Sequence, residues 1–229
     1  MAMNSYHSYK DAVRRFYEKR MEMPDVLDPE EHFPNYRKFV DQWEAMRDEV
    51  IEAKIAAAPR LETVVPGQRR VATADGVEWR MMVVRGYGID LQSNMDRLPT
   101  LTRLVKECPE VKSATVSFLG PHKHIPVHTG PFPGVLRFHL GLDVPKMPDG
   151  SPAAVLTING VDYSFSDGEY LLWDDTVPHE AVNHSDRPRT ALLLDIWRPG
   201  MPPSVERLSK VIYGAINLRM RFRGPGYVD

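Results

Sequence analysis

Cysteine is almost missing from this 229-residue sequence, where Cys108 stands alone. A single thiol cannot close an internal disulfide, so nothing in the chain calls for an oxidising compartment. Cys108 also lacks any local catalytic signature and reads as a small packed residue. No charge sign prevails. Lys and Arg number 29 against 31 Asp and Glu, a formal net charge of −2, and no basic excess or one-signed block points to nucleic acid. Nowhere does the chain approach the roughly 20 apolar residues that a membrane span needs. The opening MAMNSYHSYKDAVRRFYEKR has no apolar run and carries acidic residues, unlike a signal or transit peptide. These absences lead to the expectation of a soluble, cytoplasmic protein without a membrane or nucleic-acid partner. Internal repeats and low-complexity tracts are missing as well. What remains is ordinary: 42% apolar and 26% charged residues, in a chain long enough for one well-buried core.

Periodicity divides the chain. In YRKFVDQWEAMRDEVIEAKIAAA, Phe39, Trp43, Met46 and Val50 recur at spacings of three and four, one face of an amphipathic helix. SYKDAVRRFYEKRM repeats the pattern more weakly, and Pro24, Pro29 and Pro34 punctuate the stretch between. From about residue 70 the period shortens. VEWRMMVVRGYG reads as a strand, and LPTLTRLVKECP as a short helix with Leu101, Leu104 and Val105 on one side. Then follow VKSATVSFLG, GVLRFHLGLDVP, AAVLTING, VDYSFSDGEYLLWDD, EAVNHS and RTALLLDIWRP, separated by Gly, Pro, Asn and Asp clusters. Short strands at this spacing predict an all-β sandwich or barrel. DGEYLLWDDTVPHEAVNHSD predicts a hairpin pair on it. PSVERLSKVIYGAINLRMR predicts a final helix. The expected organisation is one domain: a helical segment over 1–65, a β core over 70–200, and a C-terminal helix and tail over 201–229.

Four of the eight histidines crowd into PHKHIPVHTGPFPGVLRFHLGL: His122, His124, His128 and His139. Histidine is the commonest metal ligand. A two-His-one-carboxylate iron triad would want Asp or Glu two residues after His128, but Gly130 stands there. Strand alternation places Leu136, Phe138, Leu140 and Leu142 of VLRFHLGL on one face, and Arg137, His139 and Gly141 on the other. An Arg beside a His inside a barrel suits a bound anion; an ordinary solvated strand face suits the same pattern. In RTALLLDIW, Arg189 heads the face it shares with Ala191, Leu193, Asp195 and Trp197, and a cation there needs a partner, either a salt bridge or the carboxylate of a bound acid. His179 opens a short strand after a turn at Asp174 and Asp175. It could meet His128 across a barrel. Alternatively His122, His124, His128 and His179 could form a cupin-like set of four.

Taken in order, H-T-G-P, L-R-x-H-L-G-L, D-D-x-x-x-H-E and R-x7-W resemble the aspartyl/asparaginyl β-hydroxylase family over about residues 70–200. The resemblance implies a mainly β fold, a double-stranded β-helix (jelly-roll or cupin-like) core with flanking N- and C-terminal α-helices. It implies an oxygenase dependent on Fe(II), 2-oxoglutarate and O2 that releases succinate and CO2. By resemblance His128 and His179 are the catalytic iron ligands, and Gly130 is the family's residue in place of the carboxylate. Arg189 and Ser117 would hold the distal carboxylate of 2-oxoglutarate, and His139 its C1 carboxylate. Arg137 would reach that group or an acidic substrate. His122 and His124 fall outside the ligand set and become rim loop residues. The implied substrate is a small molecule, an amino acid, or an aminoacyl or peptidyl group. The rivals are a cupin-type metalloenzyme using three or four histidines without a cosubstrate, and a noncatalytic dicarboxylate-binding module.

Overall fold

The computed structural model describes residues 2–53, 58–64 and 68–223. The first half is mostly helical: α1 (Ala2–Glu18), β1 (Val26–Leu27), α2 (Pro29–His32), α3 (Tyr36–Val40), α4 (Trp43–Glu52), α5 (Leu61–Val64) and α6 (Arg69–Ala72). Next come β2 (Trp79–Gly86), β3 (Ile89–Asp90), α7 (Gln92–Met95) and α8 (Pro99–Glu107). Eight strands follow: β4 (Val111–Leu119), β5 (His124–His128), β6 (Val135–Asp143), β7 (Ala154–Ile158), β8 (Val161–Ser164), β9 (Tyr170–Trp173), β10 (His179–Asn183) and β11 (Arg189–Trp197). Helix α9 (Pro203–Arg223) ends the described chain.

The eight strands form two antiparallel four-stranded sheets, β9-β6-β11-β4 and β5-β10-β7-β8, and β1, β2 and β3 extend the edges of the first. The chain passes repeatedly from one sheet to the other, which is the winding of a double-stranded β-helix. Alternation in β6 works as the sequence implies. Leu136, Phe138, Leu140 and Leu142 are fully buried on the outer face, where they join Phe39, Met46, Leu101 and Leu104 of the covering helices and Phe33 between α2 and α3. A second core lies between the sheets, built from Leu119, Ile125, Leu156, Ile158, Phe165, Trp173 and Ala181.

Three elements depart from expectation. The helix expected through residues 36–58 breaks into α3 and α4, because the Gln42 amide donates to the Phe39 carbonyl in a tighter turn. Phe39, Met46 and Val50 nevertheless share one core, and residues 54–57 lie outside the described chain. The hairpin expected in residues 167–186 does not form. β9 pairs with β6 in one sheet and β10 with β5 and β7 in the other, since the turn at 174–178 carries the chain across the gap between sheets. Finally, His124, expected on a rim loop with His122, opens strand β5.

Candidate active site

Strands β5 and β10 bring two distant histidines together. His128 and His179 are directly paired across the antiparallel register, and their ring centroids are 4.1 Å apart. Each Nδ1 lies 2.9 Å from a backbone carbonyl two residues back, His128 on Pro126 and His179 on Val177. A carbonyl only accepts, so each Nδ1 carries the hydrogen, and each Nε2 is left as the lone-pair nitrogen. Burial pushes the His128 imidazole down to about 4. Burial, with His128 as neighbour, holds His179 well below its ordinary value. Both rings are therefore neutral, the form that binds metals. Trp173 meets the His179 ring edge-on at 4.7 Å.

A second pair lies on the other sheet. Arg189 Nη2 donates to His139 Nε2 at 2.7 Å, which fixes the remaining imidazole hydrogen on Nδ1. That Nδ1 is buried without a hydrogen-bond partner, and so is Arg189 Nε. Among the described residues no carboxylate pairs with Arg189, whose guanidinium carbon lies 5.5 Å from the centre of the Phe165 ring. Burial lowers Arg189 to about 10, and burial beside Arg189 and Arg137 holds His139 well below the usual imidazole range. A desolvated cation with two unpaired N–H groups around it is a receptor for an anion. Ser117 is nearby on the same face, opposite Ala191 in the register, with its Oγ accepting from Trp79 Nε1 at 3.0 Å. Its own hydroxyl hydrogen is thereby left to donate.

Arg137 is held differently from Arg189. Its guanidinium contacts Asp195 Oδ1 at 2.9 Å and Asp175 Oδ2 at 3.0 Å. It is already neutralised by protein carboxylates, so a role in gripping a free acid would have to compete with them. Asp175 is the residue that sequence reasoning missed. A Cβ built on Gly130 would fall 2.3 Å from the Asp175 carboxylate, so that carboxylate fills the space a side chain at 130 would take. The Gly130 amide donates to the Asp175 carbonyl at 2.6 Å, and Asp175 Oδ1 is buried without a hydrogen-bond partner. Burial pushes its carboxyl up to about 6, against the pull of Arg137. The available signal was the D-D-x-x-x-H-E string, in which Asp175 lies four residues before His179.

His122 and His124 are not gathered into the site. His122 Nε2 pairs with Asp186, and His124 Nε2 with Glu180, each at 2.8 Å and exposed. Among the described residues no group of three or more His, Cys, Asp or Glu is arranged to hold a metal. The four-histidine set is thus not assembled, and two neutral imidazoles beside one unpartnered carboxylate oxygen are what remains. From α1, Lys10 Nζ donates to the Thr129 carbonyl and hydroxyl at 2.8 and 2.7 Å, holding the loop that follows His128.

Fold and site together define a double-stranded β-helix protein with a two-histidine centre and an internal anion receptor. Residues 40–199 match the family model described as aspartyl/asparaginyl β-hydroxylase, and the chain belongs to that family. It is similar to an ornithine lipid ester-linked acyl 2-hydroxylase of Rhizobium tropici, with 30% identity covering 75% of this chain and 60% of that one. It is also similar to the human aspartyl/asparaginyl beta-hydroxylase, with 24% identity covering 57% of this chain and 17% of that one. The chain therefore spans less than two thirds of the length of either relative. Among solved structures, a predicted oxalate decarboxylase of Thermotoga maritima aligns with a TM-score of 0.34 and 15% identity, covering 52% of this chain and 81% of that one. No helix among the described residues is long and apolar enough to cross a membrane.

Proposed function

We propose that the protein is an Fe(II)- and 2-oxoglutarate-dependent hydroxylase. It acts on an unactivated C–H of an amino acid, an aminoacyl group or a related small molecule, with Asp- or Asn-like substrates included. The observation that carries this reading is the buried Arg189 guanidinium, which has no carboxylate among the described residues and is hydrogen-bonded to a neutral His139. A dicarboxylic acid supplies the missing charge, and a planar guanidinium matches a carboxylate edge. Ser117 offers a hydroxyl donor beside it.

The donor set suits a ferrous ion: His128 and His179 would hold it through Nε2, each ring oriented by its Nδ1–carbonyl bond. When bound, iron, 2-oxoglutarate and O2 supply the oxidant that converts C–H to C–OH, with succinate and CO2 as coproducts. The chain's own residues orient and exclude. The buried Trp173 packs edge-on against His179 and shields that ring from water. Asp175, with Oδ1 unpaired, offers an acceptor for a water or substrate proton in the space beside Gly130. Arg137 balances that carboxylate.

A second substrate reading is favoured by the identity to the Rhizobium enzyme: an acyl chain on an amino-acid lipid. A screen scored by succinate formation separates the two, run over free amino acids, Asp- and Asn-containing peptides and an acylated amino-acid lipid. Before any substrate is known, an anaerobic titration with Fe(II) and 2-oxoglutarate should give a weak visible charge-transfer band. Arg189→Ala should remove that band at modest acid concentrations, and His179→Ala should remove it altogether. A band that survives both changes refutes the site; acid binding with iron and O2 present but no succinate from any substrate favours the noncatalytic module.

A further inference from the structure

Helix α9 has two apolar faces, and the described residues cover only one of them. Val205, Ile212, Tyr213, Ile216 and Met220 turn inward, onto Tyr87, Phe132 and Val135 and onto Val13 and Tyr17 of α1. Tyr17 Oη and Ser209 Oγ meet at 2.6 Å, and Asn217 Nδ2 donates to the Tyr87 carbonyl at 2.7 Å, so the rotation of the helix about its axis is fixed. On the opposite side Val211, Leu218 and Phe222 are 69%, 56% and 82% exposed. Their spacings of seven and four place them within about 20° of one line on the helix surface, extending for about 16 Å. Ala215 and Gly214 lie between them, also exposed. Burying an aromatic and two aliphatic side chains here would be favourable, and nothing in the described chain does so.

The charges around the stripe identify what does. Helix α9 holds five basic residues, Arg207, Lys210, Arg219, Arg221 and Arg223, against one acid, Glu206. The whole chain is slightly acidic, with a net charge of −2, so this basicity is local. Helical spacing sets Arg207, Lys210 and Arg221 along one border of the stripe and Arg219 along the other. An apolar stripe with basic borders on a helix is the pattern that lies flat in the headgroup region of an anionic bilayer. A second copy of the chain is the poorer occupant, because self-pairing of this face would set like charges opposite each other.

We propose that the outer face of α9 docks on an anionic phospholipid surface, with Val211, Leu218 and Phe222 entering the headgroup boundary and Arg207, Lys210, Arg219 and Arg221 meeting lipid phosphates. This differs from the expectation of no membrane partner, which rested on spans alone; a peripheral helix needs none. It does not depend on the oxygenase reading, since docking requires neither metal nor cosubstrate.

The test is cosedimentation of the full chain with phosphatidylcholine vesicles, with and without about a third phosphatidylglycerol. The expected result is binding to the anionic vesicles that high salt weakens, with little on phosphatidylcholine alone. Leu218→Asp with Phe222→Asp should lower it about tenfold, and so should Arg207→Glu with Arg221→Glu. All four positions are exposed, so thermal unfolding of both variants should match the parent and exclude a folding defect. Anionic vesicles that leave the chain in the supernatant overturn the proposal, as does binding unchanged in either variant. A lipid-free dimer that Leu218→Asp with Phe222→Asp dissolves also overturns it, by showing that a second copy covers the face.

Discussion

A methyl group at residue 130 would collide with three carboxylate atoms of Asp175 at 2.3 Å. Glycine is required there by space alone. Gly130→Ala should cost about 1–3 kcal/mol, the usual range for overpacking a filled interior. The same substitution made on Asp175→Ala should cost much less, since the obstacle is gone. Urea unfolding of the two single variants and the double variant gives the coupling; additive effects would mean that Asp175 can move aside and that the glycine has another reason. This pair also marks where the site was legible in the sequence. His128, His139, Ser117, Arg137 and Arg189 sit on strands, where alternation ties a residue's number to its face. Asp175 sits in a turn between sheets, where no period fixes a side chain's direction. Arg137 was assigned to the right face but to an incoming acid, because its partners Asp175 and Asp195 come from 38 and 58 residues away.

At the scale of elements, the β10 histidine depends on the turn that precedes it, and that turn is pinned by a buried ion network. Asp174 is fully buried and accepts from the Thr176 amide at 2.9 Å and the Thr176 hydroxyl at 2.6 Å. Arg198, just past β11, reaches Asp174 Oδ2 at 2.7 Å and the Pro133 carbonyl at 2.7 Å. Arg14 of α1 approaches the same carboxylate at 3.5 Å and donates to the Thr176 hydroxyl. One guanidinium thus ties the loop before β6 to the turn before β10, and a helix far away in sequence braces both. Arg198→Met leaves the buried Asp174 with the longer Arg14 contact as its remaining ion pair, and should cost about 3–5 kcal/mol. Arg198→Lys should recover part of that, keeping the charge but losing the second hydrogen bond. A loss below about 1 kcal/mol in denaturant midpoints would show that Arg14 alone suffices. The long strands β2, β4, β6, β7 and β11 and helices α8 and α9 were readable because each carries several apolar residues at one period. Strand β5 was not: HIPVH spends three of its five residues on His and Pro, and its two apolar residues, Ile125 and Val127, are too few to set a period. Strands β1 and β3, two residues each, are too short to have a period.

For the whole molecule, the buried titratable groups set how stability responds to acid. His128, His179 and His139 are neutral in the fold, each held below the ordinary imidazole value by burial first. In the unfolded chain they regain values near 6.5 and bind protons that the native state refuses. Their contribution is therefore complete above about pH 6.5 and is lost as pH falls, until for His128 the native ring itself protonates near 4. Each such group removes about 1.4 kcal/mol per pH unit below its unfolded value, so three remove about 4 kcal/mol per unit. Asp175 opposes them. Its native carboxyl titrates near 6, above an unfolded value near 4, so its contribution is present at low pH and lost as pH rises through 6. One carboxyl against three imidazoles leaves a net loss on acidification. Against a typical total of about 5–15 kcal/mol, the metal-free protein should lose most of its stability between pH 6.5 and 4.5. Urea midpoints across that range check this. His139→Gln should flatten the slope by about a third near pH 6.5 and about half below pH 6, where Asp175 opposes the imidazoles, because glutamine keeps a polar group beside Arg189 without taking up a proton. A midpoint that stays level from pH 7 to 5 would mean that these rings are solvated and charged, and the neutral two-histidine centre would fall with them.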